Sequence, residues 1–210
     1  MNIHTLILVC QVVHTLWAAC NIGAYNQEDF GNYYAWGEIT TKENYNWETY
    51  IYAEGTTNDD PRLIKYCNSY EYGNNYTDNL IVLETSDDVA NTIWGANWRM
   101  PTYSEFSELK SYCTAVWTTQ NGVKGYLFTG TNGNSIFLPA AGFCSSYVNS
   151  QVNQRGSYLT STISESGSGA KGLSFSDASN TIIGLDRYMG FSIRAVCNFN
   201  PKRSLENNNP

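Results

Sequence analysis

Histidine occurs only near the start of the chain, at His4 and His14. A Ser-His-Asp triad, a Cys-His pair and a histidine-bearing zinc site all need an imidazole as base or ligand. Because no histidine follows residue 14, the sequence excludes these three kinds of site from the rest of the chain. Carboxylate and thiol chemistry stay open.

The cysteines are scattered and lack a Cys-x-x-C spacing, which argues against a zinc knuckle and a thioredoxin-like redox motif. They are Cys10, Cys20, Cys67, Cys113, Cys144 and Cys197. The spacing does not decide between disulfides and buried thiols. We expect no catalytic cysteine among them.

Two acidic runs were considered for metal binding and for carboxylate catalysis. Asn58-Asp59-Asp60 offers oxygen ligands, but no EF-hand spacing follows, and the Glu-Pro-Asn and Trp-Asn-Asp signatures of calcium-dependent lectins are absent. Asp87-Asp88 is typical of charge at a helix start rather than of a glycosidase pair. We therefore expect no metal, no cofactor and no catalytic residue.

Composition limits the class of protein further. Charged residues make up 15% and aromatic residues 14% of the 210 residues, whereas intrinsic disorder needs many charges and few aromatics. The net charge of -7 predicts no nucleic-acid partner. No apolar run reaches the roughly 18 residues of a membrane helix, so we expect no membrane span. Polarity comes mostly from uncharged side chains, which favours an extracellular or cell-surface location, or a phage particle.

Two short helices are indicated by their caps. Ser86-Asp87-Asp88-Val89 supplies an N-cap and two acids for a helix that Gly95 can stop. Thr102 and Glu105 form a T-x-x-E capping box, and the apolar spacing that follows predicts a helix over about 103–113.

Short antiparallel strands are predicted for most of the second half. Asn121-Gly122 is a hairpin turn between strands at about 115–119 and 123–129, and a strand at 135–139 follows a second turn. Later candidates are 157–162, 172–176, 181–185 and 191–196. Small or polar residues dominate over 140–156, where no strand is assigned. A first core strand is expected at 16–22, in preference to a lipoprotein-like signal ending at Cys20.

Ordered sequence blocks resemble the Fibrobacter succinogenes major paralogous domain family. They are Trp17-Ala18-Ala19-Cys20-Asn21-Ile22-Gly23-Ala24, Tyr33-Tyr34-Ala35-Trp36-Gly37-Glu38, Trp94-Gly95-Ala96-Asn97-Trp98-Arg99-Met100-Pro101-Thr102 with Glu105-Phe106, Trp117-Thr118-Thr119-Gln120-Asn121-Gly122-Val123, Phe137-Leu138-Pro139-Ala140-Ala141-Gly142, Tyr158-Leu159-Thr160-Ser161-Thr162 and Gly190-Phe191-Ser192-Ile193-Arg194. The resemblance implies an α+β, C-type-lectin-like fold with two short helices, a small antiparallel sheet and much irregular structure. It also implies a bacterial surface protein, mainly of the Bacteroidetes.

Domain bounds follow from the resemblance, which covers residues 16–197. Residues 198–210 are expected to be a polar tail, and residues 1–15 depart from the family pattern. One set of codons for the family run Asp-Leu-Gly-Leu-Ser-Ser-Gly, read one nucleotide later, encodes Ile-Leu-Val-Cys-Gln-Val, the residues at 7–12. We therefore hypothesise that the segment 1–15 is atypical or mis-framed.

The tryptophans and Arg194 of these blocks are interpreted mainly as structural residues. Trp17, Trp36, Trp94, Trp98 and Trp117 are expected to pack in the core. Arg194, between two apolar residues, is expected to be buried and paired with an acid such as Glu38 or Glu105. Since first and last strands pair in lectin-like domains, the resemblance also implies that Cys20 and Cys197 lie close together.

Ligand binding is expected on the late loops, because lectin-like scaffolds display ligands there. The segment 158–188 is rich in Ser, Thr, Gly and Asn, which suit sugars or protein surfaces, although an ordinary solvated surface is the alternative. Exposed tyrosine gives contact area and a directional hydroxyl. The predicted site residues are Tyr158, Thr160, Thr162, Glu165, Lys171, Arg187 and Tyr188.

These expectations favour a non-catalytic ligand-binding or adhesion module that recognises a glycan or a surface protein of a host or neighbouring cell. One alternative is a variable protein of a diversity-generating retroelement, or a phage receptor-binding protein, because such variable proteins use this fold. A structural or assembly domain is a second alternative, and an enzyme is the least favoured.

Overall fold

The structure is a computed structural model that describes residues 9–12, 15–54, 61–73 and 75–197, with only the backbone described for 9–12. Its strands are β1 (Val9–Val12), β2 (Thr15–Ala18), β3 (Tyr33–Tyr34), β4 (Trp98–Arg99), β5 (Thr114–Gln120), β6 (Val123–Thr129), β7 (Ser135–Pro139), β8 (Phe143–Ser145), β9 (Val148–Ser150), β10 (Gly156–Ile163), β11 (Gly169–Ser176), β12 (Ser179–Asp186), β13 (Phe191–Ser192) and β14 (Val196–Cys197). Its α-helices are α1 (Val89–Trp94) and α2 (Tyr103–Tyr112), and two 3₁₀ turns lie at Trp47–Thr49 and Thr85–Asp87.

The fold is α+β, with most regular structure in antiparallel sheet. A five-stranded sheet has the order β12-β11-β10-β13-β3, and a four-stranded sheet has the order β1-β2-β14-β4. The β5-β6-β7 meander and the β8-β9 hairpin form two smaller sheets. The single parallel pairing between named strands of the described chain joins β10 to β13.

Both helices begin where the sequence predicts. The Asp88 carboxylate accepts hydrogen bonds from the backbone N–H groups of Ala90 and Asn91 at the start of α1, and Gly95 ends that helix. The Thr102 hydroxyl accepts from the Glu105 N–H at the start of α2, and the Glu105 carboxylate accepts from the Thr102 N–H. Each cap satisfies backbone donors that the first helical turn leaves unpaired.

The predicted β5-β6 hairpin is confirmed. Asn121 and Gly122 have φ angles of 49° and 83°, as a two-residue turn with both central residues left-handed requires. The β8-β9 hairpin was not predicted. It falls within 140–156, and its strands have only three residues each.

Strand pairing joins the two ends of the described chain. β2 and β14 are antiparallel, with Leu16 opposite Cys197 and Trp17 opposite Val196. In this register Cys197 lies opposite Leu16, whereas Cys20 lies beyond the end of β2. Cys20 therefore does not lie opposite Cys197, and both are free thiols, as are Cys67, Cys113 and Cys144.

The N-terminal segment contributes more than expected at one point. Residues Val9–Val12 form β1 at the edge of the four-stranded sheet and pair with β2. Both histidines and the tail at 198–210 lie outside the described residues, as does the acidic run at 58–60. No helix among the described residues is long and apolar enough to cross a membrane.

Three clusters of buried side chains form the interior, centred on Trp17, Trp36 and Trp47. Trp17 and Trp36 are almost fully buried, and Trp94, Trp98 and Trp117 pack against these clusters. The predicted packing role of these five tryptophans is therefore confirmed. Trp47 lies outside the resembling blocks and was not predicted.

Arg194 is buried as expected, but its expected acidic partner is wrong. Its guanidinium donates to the Asn21 side-chain oxygen and to backbone carbonyls, including those of Ala19 and Phe137. The two candidate acids have other partners, since Glu38 pairs with Lys42 and Glu105 pairs with Arg99. Burial without a carboxylate lowers the pKa of Arg194.

Candidate functional site

Tyr158 was expected to be an exposed ligand contact, and the structure corrects this. Its side chain is fully buried, and its ring stacks on Phe175 at 5.9 Å. Its hydroxyl donates to the Pro139 carbonyl at 2.8 Å and accepts from the Asn21 amide at 3.2 Å. Tyr158 therefore closes the core around Trp17 and presents no surface to a ligand.

Thr160 is also buried, which corrects its predicted role. Its hydroxyl donates to the Lys171 carbonyl at 2.9 Å and accepts from the Thr162 N–H at 3.2 Å. These bonds lie at the register irregularity between β10 and β11. The hydroxyl replaces ladder bonds that this irregularity removes, so its function is structural.

Arg187 is the third predicted contact that is buried. Two guanidinium nitrogens donate to the carbonyls of Tyr66 and Gly167, at 3.0 and 2.6 Å, and the group lies 5.2 Å from the Trp36 ring. Its Nε has no hydrogen-bond partner among the described residues. Burial lowers the pKa of Arg187. The buried guanidinium therefore connects the end of β12 to the segments that contain Tyr66 and Gly167, and it is not accessible to a ligand.

The other predicted contacts reach solvent but do not form one site. Glu165 is largely exposed and pairs with Lys171 at 2.5 Å, and the Lys171 ammonium lies 4.4 Å from the Tyr103 ring. Tyr188 is half-buried against Trp47, with ring centroids 4.8 Å apart. Thr162 is also half-buried. The structure thus brings Glu165 and Lys171 together and packs Tyr188 against a different core.

An open polar pocket of about 350 Å³ lies elsewhere, at the tips of two hairpins. Its volume is within the range of small-molecule sites, roughly 300–1,000 Å³. The lining residues, which define what we call the Trp117 pocket, are Trp117, Lys124, Gln151, Asn153, Gln154, Arg155, Ser176 and Asp177. They come from β5, β6, the turn between β9 and β10, and the β11-β12 turn.

Trp117 belongs both to the core and to the pocket. Its ring packs edge-on against Tyr126 at 5.5 Å and Phe175 at 6.3 Å. The side chain nevertheless stays partly exposed and lines the pocket. Core contacts fix the orientation of the indole, so it offers a rigid aromatic wall at little entropic cost on binding.

The pocket turn, residues 151–155, is held by backbone hydrogen bonds. Gln151 and Asn153 adopt left-handed conformations, with φ of 57° and 59°. The Asn153 N–H donates to the Ala140 carbonyl, and the Asn153 side-chain oxygen accepts from the Lys124 N–H. The Arg155 carbonyl accepts from the Gly142 N–H at 2.6 Å, and the Gln151 carbonyl accepts from the N–H groups of Gln154 and Arg155, both at 3.0 Å. These bonds orient the pocket side chains before a ligand arrives.

Gly156 joins the pocket turn to the end of β11. It lies opposite Phe175 in the β10-β11 pairing, and a Cβ at this position would lie 2.0 Å from the Phe175 ring. Only glycine lets that ring cross the backbone here. The close packing brings Ser176 and Asp177 to the pocket turn.

The charged side chains of the pocket are unpaired. Lys124, Arg155 and Asp177 are exposed, and none of them takes part in an ion pair among the described residues. The amide side chains of Gln151 and Gln154 likewise have no hydrogen-bond partner within this part of the chain. The pocket therefore presents free donors and acceptors.

No three His, Cys, Asp or Glu side chains lie close enough to hold a metal ion within the residues that the structure describes. Comparisons with models of protein families, with curated proteins and with solved structures gave no match. The function is therefore inferred from the geometry of the Trp117 pocket.

Sequence reasoning missed most of this pocket. The sequence pattern predicts only packing for Trp117 and no role for the polar run 151–155. One signal was available, because Gln151-Val152-Asn153-Gln154-Arg155 combines three amides and a cation beside a segment of small residues. Ser176 and Asp177 do lie within the late segment 158–188, so that segment contributes its β11-β12 turn.

Proposed function

We propose that the protein is a non-catalytic binding module that recognises a glycan in the Trp117 pocket. The observation that carries this proposal is the fixed Trp117 indole beside a turn whose Gln151 and Gln154 amides have no hydrogen-bond partner among the described residues. The apolar face of a sugar ring packs on an aromatic side chain, while its hydroxyls need donors and acceptors around the ring edge. The pocket offers both kinds of contact together.

The polar contacts suit the ring edge of a sugar. Gln151 and Gln154 each carry an amide that donates and accepts, and the Asn153 amide nitrogen is left to donate because its oxygen already accepts from Lys124. Ser176 and Asp177, from the β11-β12 turn region, supply further oxygen acceptors to the pocket lining. Short polar groups on a pre-ordered turn limit the entropy lost on binding.

A binding role is favoured over glycoside hydrolysis by the charges of the pocket. Its lining contains one carboxylate, that of Asp177. Glycoside hydrolysis usually needs a pair of carboxyl groups, one on each side of the scissile bond.

We further propose a C-type-lectin-like fold and a place on the surface of a bacterial cell. The antiparallel pairing of β2 with β14 supports the fold, as do two short helices among small sheets. The low content of charged residues and the polarity from uncharged side chains support the location.

The test is a glycan array probed with the purified protein and the double variant Gln151→Ala/Gln154→Ala. Both glutamines are exposed, so the variant should fold normally. We expect binding by the wild type and an affinity at least about tenfold lower for the variant, since each lost hydrogen bond costs about 1 kcal/mol.

Gln27→Ala is the matched control, because Gln27 is exposed and does not line the pocket. It should bind like the wild type. Binding that the double variant retains in full would move the site away from this pocket, and an array without any bound glycan would reject the proposal.

A further inference from the structure

We propose that the ligand of the Trp117 pocket is an anionic glycan, whose carboxylate or sulfate is bound by Arg155 and Lys124. This inference rests on the proposed glycan-binding function and adds the chemical class of the ligand. Both cations line the pocket, and both are exposed.

The described cations outside the pocket mostly have partners, and the two that are neither ion-paired nor buried, Arg62 and Lys110, do not line the pocket. Lys42, Lys65, Arg99 and Lys171 form ion pairs with neighbouring carboxylates, and Arg187 and Arg194 are buried among carbonyl groups. Arg155 and Lys124 have no such partner among the described residues. Two cations left unpaired at one pocket, in a chain of net charge -7, are best explained by an anion that arrives from outside.

The two side chains suit an anionic group in different ways. The planar guanidinium of Arg155 offers parallel donors that match a carboxylate or sulfate, and the Lys124 ammonium adds a point charge. The Lys124 backbone is fixed by the bond from its N–H to Asn153, which holds this strand against the pocket turn. The anion would thus bind where β6 meets the turn.

Asp177 adds one negative charge to the lining of the pocket. Its carboxylate lines the same pocket, on the β11-β12 turn, and pairs with neither cation. A carboxylate accepts hydrogen bonds from sugar hydroxyls and repels a second anionic group. A ligand with its charge at one end and hydroxyls at the other fits this arrangement, with its ring against Trp117.

The experiment is isothermal titration calorimetry with three probes, namely sialyllactose, lactose and a heparin-derived sulfated oligosaccharide. The wild type should bind at least one anionic probe about tenfold more tightly than lactose. The affinity for that probe should fall between about 50 and 300 mM salt, because the cations are exposed. The carboxylated and sulfated probes distinguish the two sources of charge.

The decisive variants are Arg155→Gln and Lys124→Gln. Each should weaken the anionic probe about tenfold more than it weakens lactose, so that the preference for the anionic probe is lost. Lys110→Gln is the matched control, since Lys110 is a further lysine outside the pocket and outside every described ion pair. It should bind like the wild type.

The outcomes separate the two proposals. Equal binding of lactose and both anionic probes, unaffected by Arg155→Gln, would overturn the anionic ligand and leave the glycan-binding function intact. Binding of none of the three probes, together with an array that contains no bound glycan, would overturn both.

Discussion

The two ends of the β11-β12 hairpin carry similar polar residues and use them differently. At the end away from the turn, around Gly167 and Arg187, which we call the closed end because it is buried, the guanidinium donates to carbonyl groups and lies against the Trp36 ring. At the turn end, around Ser176 and Asp177, which we call the open end because it is exposed, the charged and glutamine side chains of the Trp117 pocket have no partner among the described residues. About 23 Å of strand separates the two ends. Whether a polar group is already paired thus distinguishes a structural cluster from a binding surface.

The largest effect that would test this contrast is expected from Arg187→Ala. The change leaves a cavity beside Trp36 and removes donors from the carbonyls of Tyr66 and Gly167. We expect the free energy of unfolding to fall by about 3–5 kcal/mol in chemical denaturation. Arg155→Ala, at the exposed open end, is the control and should leave the midpoint unchanged. Similar midpoints for both variants would remove the contrast.

Gly156→Ala should disturb the contact between Gly156 and Phe175, which positions the pocket turn beside the open end of the hairpin. A methyl group 2.0 Å from the Phe175 ring forces the ring or the pocket turn to move. The expected loss is about 1–3 kcal/mol, with weaker ligand binding by the folded fraction.

Gly184→Ala serves as the control for this substitution. Gly184 lies in β12 of the same sheet, and the nearest atom to its added Cβ would be 3.4 Å away, which is ordinary contact. Equal destabilisation by the two substitutions would argue against a special role for the Gly156 contact with Phe175.

A third prediction compares the closed end with the Arg99–Glu105 pair. Burial alone would raise the pKa of Glu105, but hydrogen bonds from Arg99 and Thr102 outweigh it and lower the pKa. A lowered pKa in the folded state stabilises the protein above the unfolded value of about 4.5, and this stabilisation is lost as the pH falls through the folded value.

Glu105→Gln should therefore reduce stability by about 1–2 kcal/mol at pH 7 and have less effect in acid. The Arg187→Ala deficit should change little over the same range, because Arg187 is bound by neutral carbonyls. Denaturation midpoints measured from pH 7 to about pH 3 check both slopes. A Glu105→Gln deficit that is constant with pH would contradict the assigned cause.

The smallest effect is expected from Glu165→Gln. The Glu165–Lys171 pair is a surface pair, since Glu165 is largely exposed, and such pairs add little stability. We expect an unchanged denaturation midpoint and unchanged glycan affinity. Weaker binding in this variant would place the ligand near the closed end instead.

Local signals in the sequence predicted the helices and the first hairpin. Asp88, Thr102 and Glu105 act within three residues of the donors they bind, and Asn121-Gly122 favours a tight turn by itself. The β8-β9 hairpin was missed because its turn contains Ser146, left-handed at φ 52°, instead of an Asn-Gly pair.

The site could not be predicted because burial depends on distant partners. Tyr158 is buried through Asn21, 137 residues earlier, and Arg187 through Tyr66, 121 residues earlier. Composition showed the late segment to be polar but not which polar groups were already paired. The apolar neighbours of Arg194 likewise predicted its burial correctly. They could not show that its guanidinium donates to backbone carbonyls and not to a carboxylate.

The central claim is that ligands bind at the open end and not at the closed end. An NMR titration of isotope-labelled protein with the glycan that binds best on the array tests it directly. We predict that the largest shifts occur at the Trp117 indole N–H and at the backbone amides of 151–155 and 176–177. Largest shifts at 165–171 and 187–188, with the Trp117 pocket unchanged, would contradict the account.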